Sequence, residues 1–220
     1  IGAHPAFATP INEDIKLDDT SVSALNVDAI AKATSGILEA VVTDATANVL
    51  VSQLKSANAK DALTITVIDP LAGTTSAKDL IALTKKTNLP VVATNIVAEG
   101  IVGSVADINA VIKAGVDAKL TLAANVAYSV TGTITTSQAN EIAKETTGAV
   151  TANIAAGTAA ALNGALFDQN AGLNEYTLTV NGATAAALDL IALNGKTTGK
   201  ITVDAKEITG IAADVTTVLD

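Results

Sequence analysis

The chain repeats itself. Ile30-Ala31-Lys32-Ala33-Thr34-Ser35-Gly36 returns as Ile142-Ala143-Lys144-Glu145-Thr146-Thr147-Gly148, and Asp79-Leu80-Ile81-Ala82-Leu83 returns unchanged as Asp189-Leu190-Ile191-Ala192-Leu193. Gly103-Ser104-Val105-Ala106-Asp107-Ile108 is echoed by Gly210-Ile211-Ala212-Ala213-Asp214-Val215. The spacings are 112, 110 and 107 residues, so the two halves are versions of one long unit with small insertions and deletions. A chain of this kind grows by adding repeats, each burying its apolar face on its neighbours.

Aligned on these echoes, residues 15–220 divide into eight repeats: 15–36, 37–61, 62–88, 89–118, 119–148, 149–174, 175–199 and 200–220. The two related halves are then 15–118 and 119–220, and residues 1–14, with Pro5 and Pro10, form an N-terminal linker or connection. Each repeat reads as strand, cap, helix, turn. Tyr176-Thr177-Leu178-Thr179-Val180 and Leu63-Thr64-Ile65-Thr66-Val67 alternate apolar and polar β-formers. Asn181-Gly182 then breaks the first run before Thr184 opens a helix that stops at Asn194-Gly195, Ser76 is an N-cap, and Thr135-x-x-Gln138 is a capping box. Apolar residues recur at helical spacing in Val27/Ile30/Ala31, Leu50/Leu54, Ile108/Val111/Ile112, Ala139/Ile142/Ala143, Leu162/Leu166 and Val215/Val218/Leu219, one inward stripe per helix.

A strand, a short helix and the next strand form a right-handed βα turn whose strands pair in parallel. The expected fold is therefore α/β: a right-handed strand-helix solenoid of about eight units, with a parallel sheet on one side and short helices on the other. A doubly wound sheet is the competing arrangement, but similar repeats of this length carry no signal for the reversal of strand order it needs. Packed helices are wider than paired strands, which bends such a solenoid. Ala-rich helices such as Thr158-Ala159-Ala160-Ala161-Leu162 and Thr184-Ala185-Ala186-Ala187-Leu188 reduce the mismatch, so the expected curve is gentle.

Composition narrows the function. Hydrophobic residues make up 49% of the chain, yet there are only two Phe and two Tyr, with no Trp and no Met, which leaves little for a base-stacking platform or an adaptable apolar groove. The net charge is −9 and every basic residue is Lys, so nucleic acid is excluded as a partner. No apolar run is long enough to insert in a membrane. Cysteine is absent, as expected of a large exported bacterial protein in an oxidising setting. The chain opens on Ile1 and closes on Leu219-Asp220 directly after a helix, which raises two expectations: a leader or upstream region has been removed, and the natural protein continues beyond this point.

The recurring acids Asp79, Asp107, Asp189 and Asp214 each fall in the first turn of a helix, where a carboxylate satisfies free N–H groups and the positive end of the dipole, so they read as caps. Asp14, Asp18 and Asp19, next to Asn12 and Glu13, are the densest oxygen donors and the candidate metal ligands, with Ca2+ as the cation for such hard donors. Asp168-Gln169-Asn170, near Asn174 and Glu175, is a weaker set of the same kind. His4 is the only histidine and lies outside the repeats, which leaves no nucleophile-base pair on the scaffold. Gly100-Ile101-Val102-Gly103 and Gly195-Lys196-Thr197-Thr198 lack the rest of a phosphate loop, and Lys85-Lys86 reads as solvated charge. No catalytic or cofactor-binding residue is nominated, and the chain is not expected to be an enzyme.

Thr197-Thr198-Gly199-Lys200-Ile201-Thr202-Val203-Asp204-Ala205 and Thr209-Gly210-Ile211-Ala212-Ala213-Asp214-Val215 resemble the Ala/Thr/Val-rich repeats of very large secreted bacterial surface proteins, well represented in cyanobacteria and S-layer-like or RTX-adhesin-like in character. The resemblance covers most of 15–220 and implies export, surface exposure and often neighbouring calcium-binding segments. This chain lacks the RTX nonapeptide itself. The expected role is a structural segment of an extracellular cell-surface protein, a rigid spacer or lattice element whose partners are further copies or neighbouring repeats of a longer chain. The alternative is an adhesin module that binds a cell-surface glycan or a protein through exposed strand residues such as Thr64, Thr66, Thr177, Thr179 and Thr202.

Overall fold

A computed structural model of the chain describes residues 11–68, 73–96, 100–167, 170 and 172–219. Their elements, in chain order, are β1 (Ile15–Lys16), α1 (Ala24–Ala33), β2 (Leu38–Val41), α2 (Ala47–Gln53), β3 (Ala62–Thr64), β4 (Thr75–Ser76), α3 (Ala77–Leu83), β5 (Val91–Ala93), β6 (Ile101–Gly103), α4 (Val105–Val116) and β7 (Leu120–Leu122). They continue with β8 (Tyr128–Ile134), α5 (Thr136–Lys144), β9 (Val150–Ile154), α6 (Ala159–Ala165), β10 (Glu175–Val180), β11 (Thr184–Ala186), α7 (Ala187–Lys196), β12 (Ile201–Val203), β13 (Glu207–Thr209) and α8 (Ala212–Leu219). Each of the eight sequence repeats holds one of these helices. The fold is α/β.

Contacts divide the chain into two compact units. The first takes the described residues of 11–96 with 110–123, the second those of 100–109 with 124–219.

In the first unit β1 pairs with β2 (Ile15 opposite Leu38), β2 with β3 (Ala40 opposite Leu63) and β5 with β7 (Val91 opposite Leu120), and a bridge joins Thr66 to Val92. In the second, β6 pairs with β8 (Ile101 opposite Tyr128), β8 with β9 (Tyr128 opposite Val150), β9 with β10 (Ala152 opposite Tyr176) and β10 with β12 (Leu178 opposite Ile201). Each of these pairings is parallel.

The alternation read from the sequence sets the faces. Leu38 and Ala40 of β2 are buried while Glu39 and Val41 are exposed, and Tyr176, Leu178 and Val180 of β10 are buried while Glu175 and Thr177 are exposed. The inner faces meet the helix stripes: Leu50 and Leu54, Leu80 and Leu83, Ala139, Ile142 and Ala143, and Leu162 and Leu166 all lie in the core. Each such Leu or Ile contributes about 1.5–3 kcal/mol of apolar burial. The last stripe differs. Val215 and Val218 are only half-buried and Leu219 is exposed.

The repeat carries one element more than strand, cap and helix. After its first strand the chain bends and runs extended again before the helix: Val22 bridges Val42, Ala45 bridges Val67, Gly157 bridges Val180, and β11 pairs with β13 through Ala185 and Ile208. Two helix boundaries shift accordingly. Thr184-Ala185-Ala186 is strand β11, because the bonds to β13 outweigh the helix propensity of two alanines, and α7 opens at Ala187 with no side-chain cap and continues through Gly195 to Lys196.

Candidate functional surface

Most of the polar side chains that the fold buries join one turn of the chain to the next, and four of them are threonines in one geometry. The Thr146 hydroxyl lies 3.3 Å from Ala124 O and 2.5 Å from Val126 O, one turn earlier in the chain, and accepts the N–H of Gly148 at 2.9 Å. Thr34 stands in the same relation to Ile11 O, Glu13 O and the Gly36 N–H, at 3.2, 2.7 and 2.9 Å. Thr197 does so with Asn174 O, Tyr176 O and the Gly199 N–H, at 3.2, 2.9 and 2.9 Å, and Thr87 with Asp61 O, Leu63 O and the Leu89 N–H, at 3.2, 2.8 and 3.1 Å. In every case the nearer carbonyl takes the hydroxyl proton. The other accepts the N–H of the residue after the threonine: Ser35, Asn88, Thr147 or Thr198. All four threonines are at most 6% exposed.

Close approach explains the third residue of Thr-x-Gly. A Cβ built at Gly36, Gly148 or Gly199 would overlap the backbone of Glu13, Asn125 or Tyr176, so the two chains come as near as they do only where no side chain stands between them.

Asx residues do the same work elsewhere. Asp61 Oδ1 accepts the Leu38 N–H at 3.1 Å, and Asn174 Oδ1 accepts the Val150 N–H at 3.0 Å. Asn170 Nδ2 donates to Thr146 O at 2.9 Å and lies 3.2 Å from Ala143 O and 3.4 Å from Gly148 O. At helix ends, Asp28 accepts the Ser56 N–H, while Asn140 accepts the Phe167 N–H at 3.0 Å and donates to Ala165 O at 2.8 Å. Lys86 donates to Lys55 O at 3.0 Å, and Lys196 to Asn163 O and Leu166 O at 2.5 and 2.7 Å, each covering carbonyls at the end of the preceding helix. Asp28 with Asn140, Asp61 with Asn174, and Lys86 with Lys196 are separated by the half-repeat of the sequence. The two halves therefore match at the level of individual hydrogen bonds.

The acids are dispersed. Asp79, Asp107, Asp189 and Asp214 do occupy the first turns of α3, α4, α7 and α8. Asp107 closes a box with Ser104, 2.7 Å between side chains, whereas Asp189 accepts a 2.9 Å bond from Asn163 on the neighbouring helix. Asp14 accepts the Ile37 N–H at 2.6 Å, and Asp18 and Asp19 are exposed. Among the described residues no three His, Cys, Asp or Glu side chains converge as metal ligands, Asp14, Asp18 and Asp19 included. Asp168, Gln169 and His4 lie outside the described residues.

On the outer strand faces Thr64 and Thr177 are exposed, while Thr66, Thr179 and Thr202 are half-buried. Thr151 donates to Glu175 at 3.2 Å and Asn153 to Thr133 at 3.3 Å, so part of this polar row is paired within itself. Both tyrosines, Tyr128 and Tyr176, point inward, and burial pushes each phenol up to about 12.

Described residues line two concavities. One, of about 340 Å³, is lined by Thr46, Asn48, Thr74, Thr75, Ser76 and Asp79, and includes the buried Thr75 hydroxyl, which has no hydrogen-bond partner among the described residues. The other, of about 320 Å³, lies between α7, α8 and β12. No described helix is long and apolar enough to cross a membrane. In comparisons with known proteins, no family model, no curated protein and no solved structure matches this chain.

The sequence reading missed the threonine bridges, although their signal was in view. Two of the four, Thr34 and Thr146, sit inside the repeated segments 30–36 and 142–148, as polar residues just past the helix ends.

Proposed function

We propose that this chain is a structural segment of an extracellular, cell-surface protein, a rigid spacer or lattice element in which repeats stack in chain order as a right-handed solenoid within each unit. The observation that carries this reading is the recurrence of one buried Thr geometry between successive turns of the chain at four places, backed by parallel pairing of consecutive repeats. Side chains spent on joining repeats give a body whose length and stiffness follow from the number of repeats. Its partners are other repeats.

Two measurements test the parts separately. Inserting a second copy of residues 37–88 in register should lengthen the particle in small-angle scattering while retaining a cooperative melt; a swollen or unfolded insert ends the stacking reading. Treating intact producing cells with protease should remove the chain, and retention inside the cell ends the surface reading.

A glycan-binding role has the exposed Thr64 and Thr177 in its favour, but both tyrosines are internal, and the exposed ring among the described residues, Phe167, is covered in part by the Lys144 ammonium 5.4 Å from its centre. Selective capture on a glycan array, lost in Thr64→Ala and Thr177→Ala, would put this role first. Calcium would need oxygen donors beyond Asp14, Asp18 and Asp19, so the expected thermal midpoint is the same in Ca2+ and in chelator, and a rise with Ca2+ would restore the ion to the account.

A further inference from the structure

The eighth repeat is less buried than the seventh. Leu178, Val180, Leu190 and Leu193 of the seventh repeat are buried, whereas Ile201, Val203, Val215 and Val218 of the eighth are only half-buried, and no residue of α8 is fully buried. Leu190, Ile191, Ile201, Val203, Thr217 and Val218 line the open groove of about 320 Å³. Beside it, β12 is the end strand of its sheet. The Leu178 N–H donates to Lys200 O at 2.9 Å, and by the pairing of Leu178 with Ile201 the corresponding donor one repeat later is the Ile201 N–H.

We infer that this face receives one further βα repeat, supplied by another segment of the same class, which enters with Thr-x-Gly. This face continues the interface already built inside the molecule, and the assignment rests on the stacking reading above. The register makes Thr197 O and Gly199 O the successors of Asn174 O and Tyr176 O, the pair that Thr197 bridges. An incoming threonine would bridge them in turn, an incoming glycine two residues on would permit the backbone approach, and an apolar strand and helix would fill the groove. The first repeat of a second copy does not meet this demand. Pairing of Ile15 with Leu38 places Ile11 and Glu13 at the entry to the first repeat where the entry to the second has Thr34 and Gly36. The occupant is thus a repeat of the second, sixth or eighth type and not the head of an identical chain.

The test appends a second copy of residues 197–219 after residue 220 of the full chain and compares amide exchange at Ile201 and Val203 with the original. Docking slows exchange at both by at least roughly tenfold, as expected when an edge strand becomes internal, and burial of the groove raises the thermal midpoint. An otherwise identical extension with Thr→Val and Gly→Leu at its first and third positions should lose that protection. Equal protection from both extensions means nonspecific apolar cover and overturns the inference, as does no protection from either. Sedimentation of the original chain supplies a further outcome: a monomer is expected, and self-association abolished by Ile201→Lys would give the face to a second copy instead. If docking fails while the internal insertion of residues 37–88 still lengthens the particle, only the end face is reassigned and the stacking reading stands.

Discussion

A buried carbonyl with no donor costs more than a hydrogen bond gains, which makes the Thr bridges the most sensitive single residues. Thr146→Val and Thr197→Val keep the shape and remove the hydroxyl, so each should destabilise by about 1–3 kcal/mol. Urea unfolding measures the loss, and Thr→Ser at the same sites should recover most of it. Glycines separate into two classes by what a methyl would meet. Gly148→Ala and Gly199→Ala force a β-carbon into the neighbouring backbone and should cost about 1–3 kcal/mol. Gly164, in α6, faces open space, and Gly164→Ala should stabilise by roughly 0.5–1 kcal/mol through helix propensity. A thermal-shift series with the three variants side by side would expose any error of sign.

At the level of the element, the helices are held at their C-terminal ends from the side. Asn140 serves both the Phe167 N–H and Ala165 O at the end of α6, so Asn140→Ala strands a donor and an acceptor together and should cost about 2 kcal/mol in urea unfolding. Asn140→Asp, which places in the second half the residue the first half has at Asp28, should keep the Phe167 bond and lose only the other. These lateral bonds mark the boundary of what could be read from sequence. Helices, first strands and the Thr135–Gln138 box were legible because period, caps and apolar spacing are local properties. The second extended segment was not: Thr184-Ala185-Ala186 is extended only because Glu207–Thr209 lies beside it, and no local rule reports a neighbour. The roles of Asp61 and Asn140 were hidden for the same reason, since their partners are 23 and 27 residues away. Asp189 stands in the first turn of its helix, as its place in the sequence implies, but its carboxylate accepts from Asn163 across a helix pair, a partner no local rule names. The candidate metal ligands were legible as composition but not as geometry, since adjacency along a chain does not aim three carboxylates at one point.

For the molecule as a whole, alkaline pH should loosen the second unit. Below about pH 10 the phenols of Tyr128 and Tyr176 are neutral whether folded or not; above it the unfolded chain ionises them while the folded one, with both pushed up to about 12 by burial, does not. The folded state then holds more protons, so stability falls as pH rises from about 10 to about 12. Urea midpoints measured across that range should decline, and the double variant Tyr128→Phe, Tyr176→Phe should flatten the decline; an unchanged slope would place its origin in other groups. The placement of those two rings has a separate use. They are the only tyrosines, there is no tryptophan, and both lie in strands of the second unit, on β8 and β10. The tyrosine band of the near-ultraviolet dichroism and tyrosine emission therefore watch one unit while the other melts unseen, and amide dichroism watches both. Overlaying the two melting curves reads out, with no label attached, whether the units come apart in one step or in sequence.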